Sequence, residues 1–331
     1  MKLYINDEIF ANFEKYVIDL KYNAIASIFK FDALRDILPV QLSYSSCKVI
    51  TDDDELLLTG VILSSTRSIS ARPELISVSG YSSPGVLEDC NIPTSMYPLQ
   101  SDNLSLKQIC EKILPEFSID FSATDNVQED FEKTYKKANA NINQTIKSFL
   151  NSIASQGGMI VSHNKEGHLV FTKIDTDIMT PVATFEEGNG GNESITLDVN
   201  GQVLHSEITV VKQASELSRS SGEETVLNPM VSAYRPRVKV SNSGSVFDVK
   251  KAARMELSKE LSSIRFSIRT TQFVKPGNLI NLKAKSLNIN NTIELFVEQT
   301  TIIGNRNSER YILTCVMKEV YNFADVKNIF E

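Results

Sequence analysis

The sequence contains no tryptophan and only three histidines, His163, His168 and His205. Zinc sites and histidine-based acid–base catalysis therefore have very little to draw on. The four cysteines, Cys47, Cys90, Cys110 and Cys315, stand far apart, so no CxxC pair exists and they read as reduced core thiols. The most apolar run, Leu56–Leu63, falls well short of the roughly 20 residues that a membrane-spanning helix needs. Asp7 and Glu8 stand where a secretion signal is apolar, so no such signal is expected. Positive charge is also scarce: 34 Lys and Arg face 41 Asp and Glu, a formal net charge of −7. A wide grip on nucleic-acid backbone needs clustered positive charge, which this balance disfavours.

What is present is ordinary folding material, 41% hydrophobic and 23% charged residues over 331 positions. That length suits two or three domains with cores that need no staples. Short β-rich runs fill the first hundred residues: Tyr16–Leu20, Leu38–Tyr44, Cys47–Thr51, Glu55–Leu63 and Glu74–Tyr81. The acidic turn Asp52–Asp54 joins two of them as a hairpin. Strands this closely spaced predict a curved antiparallel sheet or small barrel. The pattern changes after Cys90. Residues 91–103 read as a connection, followed by a helical stripe over Leu104–Leu114, capped by Ser101, Asp102 or Asn103 and ended by Pro115. A second helix carries Ile142, Ile146, Phe149, Leu150 and Ile153 on one face and stops at Gly157 and Gly158. Met159–Ser162 and His168–Thr172 then form a hairpin around residues 164–167.

Residues 186–192 read as a flexible loop, and Ser194–Val199 and Val203–Gln213 as strands. Residues 214–230, rich in Ser, Glu and Gly, read as a mobile loop. A strand is expected over Tyr234–Val240 and a helix over Val246–Ile264. Strands at Arg265–Gln272, Asn278–Lys283, Thr292–Ile303 and Arg310–Tyr321 finish the chain. The expected class is mainly β with an α+β insertion. A first small barrel spans residues 1–95 and is completed by about 176–212, the insertion spans 96–175, and a second barrel with one helix spans 213–331.

No catalytic constellation emerges. Gly80, Ser82 and Pro84 nearly fit the G-x-S-x-G nucleophile elbow, but the last glycine is missing. Gly188, Gly190 and Gly191 resemble a phosphate loop, but Glu193 breaks the spacing and a strand follows. His163 and His168 flank a hairpin turn with only Glu166 as a third local ligand. His205 lies in a strand with no neighbour in sequence to orient it. Asp52–Asp54 lack the glycine and distal glutamate of a calcium loop. No metal or cofactor site is therefore expected. Arg235, Arg237 and Lys239 alternate along a strand and give it one basic face. That face is a candidate contact for an acidic partner, and Asp52, Asp53 and Asp54 are candidates for contact from a rim.

Several segments, in order along nearly the whole chain, resemble the baseplate hub proteins of bacteriophage Mu and its relatives. Phe13–Ala33 is similar to the family's opening strands, and Leu56–Ile62, reading LLLTGVI, to its hairpin return. Ile76–Ser83 (ISVSGYSS) with Leu87–Cys90 (LEDC) resembles the next stretch, with Tyr81 where the family pattern has arginine. Leu106–Cys110 leading to Phe117–Ile119 is similar to its helix and following strand. Gln156–Ile160 through Gly167–Lys173, and Lys275–Leu282, resemble two further strand entries.

The resemblance implies a virion protein of the tail baseplate, assembled in the bacterial cytoplasm. Three chains would form a homotrimeric ring of six related barrels around a channel. The ring would join a sixfold tail tube protein to a threefold central spike, beside other baseplate proteins. The family also includes the T-even phage hub and the hub part of type VI secretion spikes. Three chains carry about −21, which would repel DNA phosphates and let DNA pass without binding. Two other classes remain open, a virion-associated cell-wall hydrolase and a β-sandwich receptor- or carbohydrate-binding module. The missing catalytic set weighs against the first, and the missing tryptophan against the second.

Overall fold

The computed structural model describes residues 1–10, 13–34, 42–68, 75–97, 103–135, 140–188, 192–212, 222–241 and 249–330. The chain divides into two compact units, residues 1–173 with 301–310, and residues 174–300 with 311–331.

The first unit opens with seven strands: β1 (Lys2–Ile5), β2 (Glu8–Phe10), β3 (Phe13–Lys21), β4 (Ile28–Leu34), β5 (Ser46–Ile50), β6 (Leu56–Ser68) and β7 (Leu75–Ser82). They pair antiparallel in the order β3-β4-β7-β6-β5-β1-β2. Alternation explains why they form: Tyr16, Ile18 and Leu20 on β3 and Phe29, Phe31 and Ala33 on β4 are buried, while their neighbours face outward. Gly60 on β6 and Gly80 on β7 let those two backbones close up. A Cβ at Gly60 would stand 2.0 Å from the Tyr81 carbonyl oxygen, and one at Gly80 2.0 Å from that of Val61. Of the expected strand Leu38–Tyr44, residues 38–41 lie outside the described residues. The remainder is a turn, in which the Ser45 amide donates to the Leu42 carbonyl at 3.0 Å.

The first unit continues with α1 (Val86–Asp89), β8 (Leu104–Ser105), α2 (Leu106–Ile113), β9 (Phe121–Ala123), α3 (Gln128–Glu132), β10 (Thr134–Tyr135), α4 (Ile146–Ala154), β11 (Ile160–His163) and β12 (Leu169–Thr172). The cap of α2 is Ser105 rather than an earlier residue. Its hydroxyl accepts from the Gln108 amide at 3.2 Å, and the Gln108 side chain accepts from the Ser105 amide at 2.9 Å. Thr145 caps α4, which leaves Ile142 outside the helix and 71% exposed. Ile109, Ile113, Phe149, Ile153 and Phe171 share one core with Ile25, Ala26 and Leu87.

The second unit contains β13 (Thr184–Glu186), β14 (Asn192–Val199), β15 (Glu207–Lys212), β16 (Gly222–Leu227), β17 (Pro236–Ser241), α5 (Val249–Leu261), β18 (Ile264–Thr270), β19 (Leu279–Ala284), β20 (Ile289–Asn305), β21 (Glu309–Met317) and α6 (Glu319–Asn322). The tip of the β20–β21 hairpin, residues 301–310, belongs to the first unit. Within residues 176–212, β13 pairs with β19, β14 with β18, and β15 with β16 and β17. Residues 222–227 of the expected 214–230 loop form β16, because Glu224 and Val226 alternate toward α5 while Glu223, Thr225 and Leu227 face out. Residues 213–221 and 242–248 lie outside the described residues. The final strand ends at Met317, and Glu319–Asn322 turn into a short helix.

All four cysteines are free thiols. Cys47, Cys110 and Cys315 are buried and Cys90 half-buried. Burial pushes the Cys47 thiol up to about 12 and raises those of Cys110 and Cys315 as well. A thiol reagent added to the native protein at mildly alkaline pH should therefore label Cys90 alone, and all four cysteines after denaturation. Rapid native labelling of Cys110 or Cys315 would contradict the packing described.

Candidate interaction surfaces

The basic strand face lies on β17, and its side chains make bonds within the chain. Arg237 Nη1 donates to Glu260 Oε1 at 2.9 Å, and Lys239 pairs with Glu256. Arg235 Nη2 donates to the Gln202 carbonyl at 3.2 Å. Within the chain, Arg237 and Lys239 thus meet two glutamates one turn apart on α5. Glu260 is 5% exposed and also accepts from the His205 amide at 2.9 Å and from His205 Nδ1 at 2.8 Å. One carboxylate therefore holds α5, β17 and the entry to β15 together. Burial opposes charge on Glu256, yet the bonds from Lys239 and Lys259 prevail and hold its carboxyl below the ordinary range. The opposite face of β17 is the open one, with Val238 66% and Val240 51% exposed and Tyr234 exposed at its start.

Asp52 and Asp54 sit in the β5–β6 turn and are also engaged locally. Asp52 pairs with the Met1 amino group, and Asp54 Oδ1 accepts from Lys2 Nζ at 2.7 Å. Asp54 takes a left-handed backbone, φ 63°. All three aspartates are exposed, so these pairs contribute little to stability.

Ser82, at the near-match to a nucleophile elbow, is buried, and its hydroxyl accepts from the Ser27 amide at 2.8 Å. A serine–histidine pair does exist, but with Ser27. His163 Nδ1 donates to the Ala24 carbonyl at 2.8 Å, which leaves Nε2 to accept from Ser27 Oγ at 2.8 Å. Ser27 is 2% exposed, and a carbonyl rather than a carboxylate orients the ring, so the pair pins β11 to the β3–β4 connection instead of attacking a substrate. Among the described residues no cluster of His, Cys, Asp or Glu could hold a metal ion. Residues 189–191 of the glycine-rich loop lie outside the described residues.

Burial, with Lys21 nearby, lowers the affinity of His163 for a proton below that of free histidine. The unfolded chain then binds more protons than the folded one below about pH 6.5, so this group's contribution to stability fades as pH falls through that value. Urea midpoints measured on both sides of it should drop more for the wild type than for His163→Gln. Equal drops would contradict a neutral, buried imidazole.

A groove missed by the sequence reading lies on the outer face of the first unit. It encloses about 450 Å³ between β3, β4 and the residue 301–310 hairpin tip. The cations around it are separated by up to hundreds of residues along the chain, so no local motif marks them.

No family model matches the chain, and no curated protein sequence matches it. Solved structures do. The chain is similar to the 43 kDa tail protein of prophage MuSo2 from Shewanella oneidensis, at 18% identity and TM-score 0.81, covering 96% of this chain and 98% of that one. The fold is the one these tail proteins have. A tail protein from Neisseria meningitidis MC58 is similar at 19% identity and TM-score 0.79, over 98% of both chains. A type VI secretion system component from E. coli, itself similar to the T4 bacteriophage tail proteins gp27 and gp5, matches at 12% identity and TM-score 0.62, over 99% of this chain and 80% of that one. No helix among the described residues is long and apolar enough to cross a membrane.

Proposed function

We propose that this protein is a structural hub of a phage tail baseplate. The observation that carries the reading is the end-to-end match of fold to two phage tail proteins, spanning nearly all of each chain. The likeness to a type VI component extends it to the wider class of injection machines. In this reading three copies form a ring, the sheets of residues 1–95 and 213–331 supply two barrels per copy, and residues 96–175 are the insertion between them. The ring adapts a sixfold tail tube to a threefold spike and surrounds the channel through which DNA leaves the virion. A heterologous contact repeated three times closes such a ring and needs no catalysis. The exposed apolar residues Val238 and Val240 suit a chain that buries more surface when assembled.

Negative-stain class averages of the purified protein, alone and with its spike, test this. Threefold rings with a central hole are expected. A compact particle without a hole would favour the binding-module reading. Release of fragments from purified cell walls would favour the hydrolase.

A further inference from the structure

The three-stranded sheet β16-β15-β17 of the second unit packs α5 on one face, where Ala252 and Ala253 meet Val210 and Val226. Its other face is open among the described residues. Leu227 on β16 is 70% exposed, and Val238 and Val240 on β17 are 66% and 51% exposed. Register sets Thr209 between Thr225 and Val238, and Val211 between Glu223 and Val240. The Thr209 and Thr225 hydroxyls bond to each other at 2.8 Å, so neither needs an outside partner. Side chains on adjacent strands thus form one apolar patch.

The charge on this face has one sign. Glu207 lies between Leu227 and Pro236, and Glu223 beside Val211. Neither carboxylate has an ion-pair or hydrogen-bond partner among the described residues. The bases of β17, Arg237 and Lys239, turn to the opposite face, where they meet Glu260 and Glu256. Unpaired carboxylates repel nucleic acid and anionic lipid, so the complementary surface is that of a protein carrying Lys or Arg.

Three strands span two spacings, about 10 Å, which is the width of one helix. The α5 side shows such a pairing, with apolar contacts and two helix glutamates set against two strand bases. The open face is its inverse, with apolar residues and two strand carboxylates. Glu207 and Glu223 stand four residues apart along the strands and one strand across, about 14 Å. Bases seven positions apart on a helix stand about 10 Å apart, and the flexible Lys stem makes up the difference. We infer that the open face of β16-β15-β17 docks an amphipathic helix of a partner protein, its apolar stripe over Val211, Val238 and Val240 and its bases about two turns apart along one flank. The face adds a docking point to the hub reading and does not depend on ring closure.

The test uses fluorescein-labelled peptide KLAQLLAKLAQLLA in fluorescence polarisation against the full chain, with ELAQLLAELAQLLA as its charge-reversed control. The double variants Glu207→Gln/Glu223→Gln and Val238→Thr/Val240→Thr change accessible side chains and should keep the fold, which circular dichroism checks. Glu116→Gln/Glu166→Gln removes the same charge from exposed positions of the first unit. The lysine peptide should bind the wild type at least about tenfold more tightly than the glutamate peptide. Either variant of the face should weaken it at least about fivefold, and the first-unit variant less than about twofold. Equal affinity for both peptides, no binding of the lysine peptide, equal losses in the two charge variants, or binding unmoved by Val238→Thr/Val240→Thr would overturn the inference. So would variants of the face that alter only the mass of the protein in solution, since a second copy would then cover it. Ring formation is read separately by microscopy, so failure here leaves the hub reading standing.

Discussion

Gly80→Ala is expected to destabilise the first unit by roughly 3 to 5 kcal/mol, near the upper end for a single added methyl group. The new Cβ would lie 2.0 Å from the Val61 carbonyl oxygen and 2.8 Å from the Phe29 ring. The first neighbour is main chain, held by the β6–β7 ladder, so relief requires the two strands to separate. Ile62 pairs with Gly80 in that ladder, and the register already shifts between Ile62 and Ser64. Phe29 is 2% exposed and stands 5.9 Å from Phe31, so it has little room to turn. Gly201→Ala is the control, because a Cβ there meets nothing within 4 Å. It should change stability by no more than about 0.5 kcal/mol. Urea unfolding followed by circular dichroism distinguishes the two variants. A Gly80→Ala protein as stable as the control would mean that β6 and β7 do not approach as described.

Glu260→Ala is expected to cost on the order of 3 kcal/mol in the second unit, since it strands the partners of a buried ionised group. The carboxylate is 5% exposed and accepts three bonds, from Arg237, His205 Nδ1 and the His205 amide. It sits one residue from the end of α5, where a negative charge opposes the helix dipole, so pairing is what favours it there. Glu260→Gln keeps the shape and part of the bonding and should cost less. Arg237→Ala should cost less again, because its side chain is 37% exposed and water replaces part of what it loses. A double-mutant cycle between positions 237 and 260 should give a coupling of about 1 kcal/mol or more. No coupling would mean that the Arg237–Glu260 pair does not stabilise the second unit.

The same cluster shows where reading the sequence stops. Alternation made β17 legible as a strand with Arg237 and Lys239 on one face and Val238 and Val240 on the other. It cannot say which face is covered, and charged residues are usually the exposed ones. Here Glu260 and Glu256 of α5 pair with Arg237 and Lys239 on the basic face. The signal was present but non-local: Glu256 and Glu260 lie four apart on a helix, and Arg237 and Lys239 two apart on a strand, so the two pairs match when the elements pack. Helices α2 and α4 were legible because Ile109, Ile113, Phe149 and Ile153 follow helical spacing whatever they pack against. β16 was not, since its Ser- and Glu-rich surroundings read as loop and only packing of Val226 against α5 makes it a strand. The β3–β4 groove was invisible for a similar reason, because Lys15, Lys30 and Arg310 come to line one surface only after the chain has folded.

The hub reading stands or falls on assembly. Sedimentation equilibrium of the full chain over a wide concentration range measures it most directly. The account predicts a species near 111 kDa, three times the 36.9 kDa chain, growing at the expense of monomer as concentration rises. A single species of 36.9 kDa at every concentration, with and without the spike protein, would contradict it.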